Sequence, residues 1–226
     1  MSWFTQTLSG SVGKKLLMAL TGLFLILFLV IHLAGNLQLL FNDGGKAFNI
    51  YATGMANNPL IKVVSYGNFF FILLHIVDGI ILTMKNKAAR NVRYHVATKD
   101  SKSSWASKNM ALLGIITLVF IIAHLKGFWY EFKFGAIPFA TYDGVEYKDV
   151  YQIVAATYAQ PLFVAFYVVC MIFLGLHLSH GFSSAFQSMG LNHKKYTPFI
   201  SKLGTLYSIL IPLGFASIPI IMFLRG

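Results

Sequence analysis

Four histidines, His32, His75, His124 and His177, each lie inside a long apolar stretch: LFLVIHLAGNLQLL, FFILLHIVDGIILTM, LVFIIAHLKGFWY and MIFLGLHLSHGF. An ionisable side chain at membrane depth is costly, so each is a functional candidate by default. One histidine in each of four stretches implies a shared task. Imidazole ligates haem iron through one ring nitrogen, and two imidazoles from facing helices can clamp one haem. Four such histidines suit two non-covalently held b haems. The reading of a different class is a haem-free proton-coupled transporter that uses the histidines as a relay.

Helices must carry these groups. The 226-residue chain is 57% hydrophobic and 11% charged, whereas a soluble domain carries about 25% charged residues. Five stretches, about 15–40, 60–84, 109–130, 158–187 and 199–224, each exceed the roughly 20 residues that cross a bilayer core. The expected fold is a single-domain, all-α integral membrane protein over residues 1–226. Its first four helices form the haem-binding bundle. The first stretch is too long for a signal-peptide core and reads as a retained helix. Pro212 and Pro219 predict kinks in the fifth helix. Cys170 is the single cysteine, which excludes a disulfide framework, covalent c-type haem attachment and a four-thiolate site within the chain. The net charge of +11 sits in loops between the spans, which argues against nucleic acid.

Charge also sets topology. Of the 18 Lys and Arg, twelve fall on the side of the amino terminus, including Lys85, Lys87, Arg90, Arg93, Lys99, Lys102 and Lys108. Five of the seven acids fall on the other side. The positive-inside rule puts the amino terminus in the cytoplasm and the carboxyl terminus outside. Depth follows from the 1.5 Å rise per residue: His32 and His124 lie roughly 25 Å from the cytoplasmic helix ends, and His75 and His177 roughly 15 Å. Each level thus holds two histidines from two helices, as two stacked haems require.

Glycines repeat this order. Gly35 and Gly127 follow the outer histidines by three residues, and Gly79 and Gly181 follow the inner ones by four. Both spacings share a helix face with the histidine, and each glycine would leave room for a macrocycle edge. His180 is an alternative to His177 as inner ligand, or a propionate partner. His177 is preferred because it shares the four-residue glycine spacing with His75. Asp78, the only carboxylate inside a span, is expected to snorkel to a lysine such as Lys85, with ligand orientation or proton transfer as alternatives. Lys126 is expected to snorkel. His95 and His193 belong to the basic loops. Ser11, Lys14, Lys15, Arg90 and Arg93 are placed to meet propionates of the inner haem. Trp3 and Phe4 suit a membrane interface.

SVGKKLLMALTGLFLILFLVIHLAGNL, HIVDGI and GLHLSHGFSSAFQSMG, taken with the histidine order, resemble the membrane-anchor cytochrome b subunit of succinate dehydrogenases and fumarate reductases. The resemblance is to the type with one subunit, five helices and two haems. It implies that His32 and His124 hold the distal haem and His75 and His177 the proximal one. It implies an iron–sulfur subunit docked on the basic cytoplasmic loops, a flavoprotein subunit beyond it, and residence in a bacterial inner membrane among its lipids. It also implies a quinone, menaquinone among the candidates, near the distal haem, where Asn36, Gln38, Asp43, Trp129 and Tyr130 lie. Succinate chemistry itself is not expected in this chain. Some members carry a glutamate two residues before the fourth-helix ligand; here that position is Gly175. The rival within redox proteins is a cytochrome b anchor of another respiratory dehydrogenase.

Overall fold

The structure, a computed structural model, describes residues 10–88 and 104–226. Trp3, Phe4, Arg90, Arg93, His95, Lys99, Asp100 and Lys102 lie outside the described residues. Five helices are long and apolar enough to cross a membrane: Ser11–Leu40, Pro59–Ala88, Met110–Phe134, Pro161–Ser188 and Thr197–Arg225. This is an all-α, multi-pass membrane architecture. The first comprises α1 (Ser11–Asn36) and a 3-10 turn, Leu37–Leu40. Then come α2 (Lys46–Asn57), α3 (Pro59–Ala88), a single turn α4 (Trp105–Lys108) and α5 (Met110–His124). A π-helical segment, Leu125–Tyr130, runs into α6 (Glu131–Phe134). Strands β1 (Phe139–Tyr142) and β2 (Val145–Lys148) precede α7 (Val150–Tyr158), α8 (Pro161–Ser188) and α9 (Thr197–Arg225).

Contacts between helix ends show that the spans alternate in direction. Lys14, near the start of α1, pairs with Asp78, near the end of α3. Phe128, beyond α5, meets Tyr158, just before α8. Phe182, late in α8, meets Tyr207, early in α9. Arg225 donates to the Leu40 carbonyl at 2.7 Å, tying the end of α9 to the end of the first span. Large apolar side chains such as Leu60, Leu162 and Phe199 face outward, as lipid-facing surfaces do when no water competes for them.

The segments 41–59 and 131–157 read as connecting loops in the sequence, yet both contain ordered elements. Asp43 accepts from the Gly45 and Ala47 amides at 3.0 and 2.8 Å and starts α2. Gly44 and Gly45 both have positive φ there, and a Cβ at Gly45 would collide with the Tyr151 ring. Strands β1 and β2 pair antiparallel across Asp143 and Gly144, both at positive φ. That is the two-residue turn whose backbone twist suits a hairpin. Asn49 is fully buried. It donates to the Tyr142 hydroxyl and to Asp149 at 3.0 and 2.9 Å and accepts from the Tyr151 amide at 2.9 Å. One side chain thereby fastens α2, the hairpin and α7 into a cap over one end of the bundle.

Helix α9 continues through Pro212 and Pro219. A proline frees the carbonyl four residues earlier, which for Pro212 is that of Ser208. Gly175 of α8 packs against this carbonyl: a Cβ there would stand 2.9 Å from the Ser208 oxygen. The tight α8–α9 approach leaves no room for a glutamate at position 175.

Candidate functional site

The bundle interior brings the four histidines together as two pairs. The rings of His32 (α1) and His124 (α5) have centroids 5.8 Å apart at 88°. Those of His75 (α3) and His177 (α8) are 6.4 Å apart at 70°. An imidazole nitrogen binds a first-row metal at about 2 Å and lies about 1 Å from its ring centre, so two imidazoles sharing one metal have centres about 6 Å apart. Both separations match. His177 is thus the ring opposite His75, and His180 lies half-buried one turn further along.

The donor set limits what such a pair could hold. A bare structural or catalytic divalent ion takes three or four protein ligands, and no group of three or more His, Cys, Asp or Glu converges among the described residues. Two opposed imidazoles suit an iron whose other four donors arrive with it, as in a haem. In each pair one ring nitrogen, Nδ1 of His124 or of His177, is buried without a hydrogen-bond partner. Such unspent polar atoms are costly in an apolar interior. A Cβ at Gly127 or Gly181 would meet nothing within 4 Å, and at Gly79 only the Met18 methyl at 3.4 Å. Gly35 differs: a Cβ there would stand 2.6 Å from the Tyr51 ring, so this small residue makes room for α2.

His75 and His177, the pair that the charge pattern would place on the inner side, have a partner that periodicity alone did not reveal. Thr21 of α1 is 1% exposed. Its Oγ1 lies 2.9 Å from the Leu17 carbonyl, 3.1 Å from the Met18 carbonyl and 3.1 Å from His75 Nδ1. A hydroxyl has one proton. Given to the helix carbonyls, it leaves the oxygen to accept from Nδ1–H, so the lone pair of His75 is on Nε2. The His75 ring lies against α1 beside Gly22, its Cε1 3.5 Å from where a Cβ would be, an ordinary contact distance. In the sequence Thr21 is marked only as a polar residue inside an apolar run.

The outer pair sits among aromatic rings. Phe28 stacks on His32 at 5.2 Å and Phe120 on His124 at 5.6 Å. Phe215, Phe128 and Tyr167 close the surround. Tyr158 packs on Tyr167 and Phe128, and burial pushes its phenol pKa up. Asn36 Nδ2 donates to the His32 carbonyl at 2.7 Å and lies 3.3 Å from His32 Nδ1.

The other predicted positions are separately engaged. Asp43 caps α2, and Gln38 lies in the 3-10 turn. Trp129 packs between Phe69 and Phe134, and Lys126 lies 3.9 Å over the Tyr130 ring while bonding Glu131 at 2.8 Å. Asp78 is buried. Its ion-pair partner is Lys14 at 3.8 Å, on α1, while its second carboxylate oxygen has no hydrogen-bond partner among the described residues. Asn68, also inside α3, is buried with an unpartnered oxygen; its position seven residues before His75 was the available sequence signal.

Comparison with known proteins finds no matching family model, no matching curated protein and no matching solved structure.

Proposed function

We propose that this chain is the dihaem cytochrome b membrane anchor of a succinate:quinone oxidoreductase, a succinate dehydrogenase or fumarate reductase. In this role it passes electrons between a cytoplasmic iron–sulfur subunit and membrane quinone. The observation that carries the reading is the sorting of four intramembrane histidines into two opposed pairs at metal-sharing separation. Two b haems, when bound, supply one-electron iron couples whose potentials follow axial ligation and burial.

The chain's own residues do the rest. His32 and His124 hold the outer group from α1 and α5, and His75 and His177 the inner group from α3 and α8. Thr21 keeps the proton on Nδ1 of His75. The Phe28, Phe120, Phe128 and Phe215 rings keep water from the outer pair. Lys14 and Lys15 lie at the inner end, where propionates and a partner's acidic surface need cations. Quinone chemistry couples two electrons to two protons. The outer end, where Asn36, Gln38, Asp43, Trp129 and Tyr130 lie, is the proposed place for that chemistry, although Asp43 is committed to capping α2 and Trp129 to packing on Phe69 and Phe134. The family assignment rests on the sequence resemblance, and the haem assignment on the paired geometry as well.

The deciding experiment is an absorption spectrum of the purified protein, oxidised and dithionite-reduced, with haem extracted and counted. Two b haems per chain and co-purification of a flavoprotein are expected. A protein free of reducible haem sinks the reading in favour of a proton-coupled transporter. Haem without a flavoprotein that oxidises succinate or reduces fumarate moves the chain to another dehydrogenase.

A further inference from the structure

The face that carries the hairpin holds a second site, independent of the histidines. Six basic side chains belong to this face: Lys46, Lys62, Lys126, Lys133, Lys148 and Arg225. Lys46 is paired with Asp143 and Lys126 with Glu131, each at 2.8 Å. Arg225 is spent on the Leu40 carbonyl. The three without a carboxylate partner, Lys62, Lys133 and Lys148, all line one cleft of about 320 Å³ between α2, the start of α3, α6 and the hairpin. Glu146 is the only acid among the lining residues, so three positive charges face one negative.

A hydroxyl accompanies the charge. Thr53 lines the cleft, and its hydroxyl oxygen is buried with no hydrogen-bond partner. Lys148 is fixed by donating to the Phe132 carbonyl at 3.0 Å, and both Lys148 and Lys133 lie over the Phe132 ring, at 5.1 and 5.5 Å. Two anchored ammonium groups, a free one and an unused hydroxyl are what a tetrahedral oxyanion requires. Position names the source. Lys62 is in the first turn of the spanning helix Pro59–Ala88, and Lys133 is in the last turn of the span Met110–Phe134. Both therefore stand at the membrane boundary, the level of lipid phosphates.

We infer that this cleft binds the phosphate of an anionic phospholipid headgroup from the adjoining leaflet. Lys62 and Lys133 meet its charge and the Thr53 hydroxyl meets one oxygen. The ligand chemistry is a phosphate ester, and dissolved phosphate shares enough of it to serve as a competitor.

The test uses the full-length protein in phosphatidylcholine vesicles containing a minor fraction of spin-labelled phosphatidylglycerol. The motionally restricted lipid is measured by electron paramagnetic resonance. Each lysine near an anionic headgroup contributes enough that the double variant Lys62→Gln, Lys133→Gln should weaken the tight component about 30-fold. Neither side chain has a carboxylate partner among the described residues, and Lys133 makes only a ring contact with Phe132, so the fold should survive. Glu146→Gln should strengthen retention, and Lys46→Gln, on the same face but already paired, should leave it unchanged. Release by millimolar inorganic phosphate supports the phosphate site and makes dissolved phosphate an equal occupant; retention supports the headgroup. Wild-type retention in the double variant, or equal restriction of labelled phosphatidylcholine by the wild type, overturns the inference.

Discussion

The two histidine levels are alike in ring separation and unlike in everything that surrounds them. At the inner level, a hydroxyl that donates to its own helix leaves its oxygen to accept from His75 Nδ1–H, an arrangement that would free Nε2 for a metal. At the outer level, the atom beside His32 Nδ1 is an amide nitrogen, which can only donate. That polarity favours the proton on Nε2, so a metal bound through Nε2 requires Asn36 to turn. The inner level also borders a buried ion pair, Lys14–Asp78, whereas the outer level is walled by phenyl rings and capped by α2, the hairpin and α7. One level is preset by polar contacts and the other by packing. If both hold haem, the inner one should be sensitive to loss of single polar groups, the outer one to its apolar enclosure and to Asn36.

The largest effect should come from the ligands. His32→Ala or His124→Ala should each abolish the same b-type signal, and His75→Ala or His177→Ala the other, halving the haem count in every case. His32→Ala and His75→Ala removing the same signal would break the two-level scheme. His180→Ala should retain both haems, which isolates His177 as the inner ligand.

Next is the ion pair. Lys14→Met leaves the Asp78 carboxylate buried without its cation, a change that costs about 3–5 kcal/mol where pairs are fully enclosed. Lys14 is 19% exposed, which places the loss toward about 3 kcal/mol. Thermal unfolding of Lys14→Met against Lys14→Met, Asp78→Asn measures it: the double variant should be the more stable. Equal melting points would show that the pair carries no stability.

Thr21→Val should cost about 1–3 kcal/mol by leaving the His75 Nδ1–H without an acceptor. It should alter the low-spin resonance and midpoint potential of the inner haem alone, and Thr21→Ser should restore both. An unchanged inner resonance in Thr21→Val would sever the hydroxyl from the ligand's tautomer. The smallest effect belongs to Asn36→Asp. It gives the outer ligand an acceptor and should lower the outer midpoint potential by about 60 mV. A shift of the inner potential instead would erase the contrast between levels.

Much of this architecture was legible in one dimension. Five apolar runs long enough to span, with histidines at matching depths in alternating helices, follow from the rise per residue and from the cost of a polar group in hydrocarbon. The hairpin was not expected, although its turn has a local signature. TYDGVEY carries the Asp-Gly step that a positive-φ turn demands, although it lies in a segment that otherwise reads as loop. Asn49 and Thr21 carried no comparable signal, because a polar residue in a chain does not announce which distant atom it will meet.

The sequence by itself determined the membrane class, the number of spans and the place of each histidine along its span, because hydrophobic burial and backbone satisfaction are summed along the chain. Only the tertiary structure decided how closely and at what angle the expected pairs of rings meet, and that Lys14, rather than Lys85, is the ion-pair partner of Asp78. It also decided that Gly35 yields to Tyr51 and that Gly175 packs against a carbonyl freed by Pro212. These depend on how each helix is rotated about its own axis. Rotation is set by close packing between helices, and no local pattern records it.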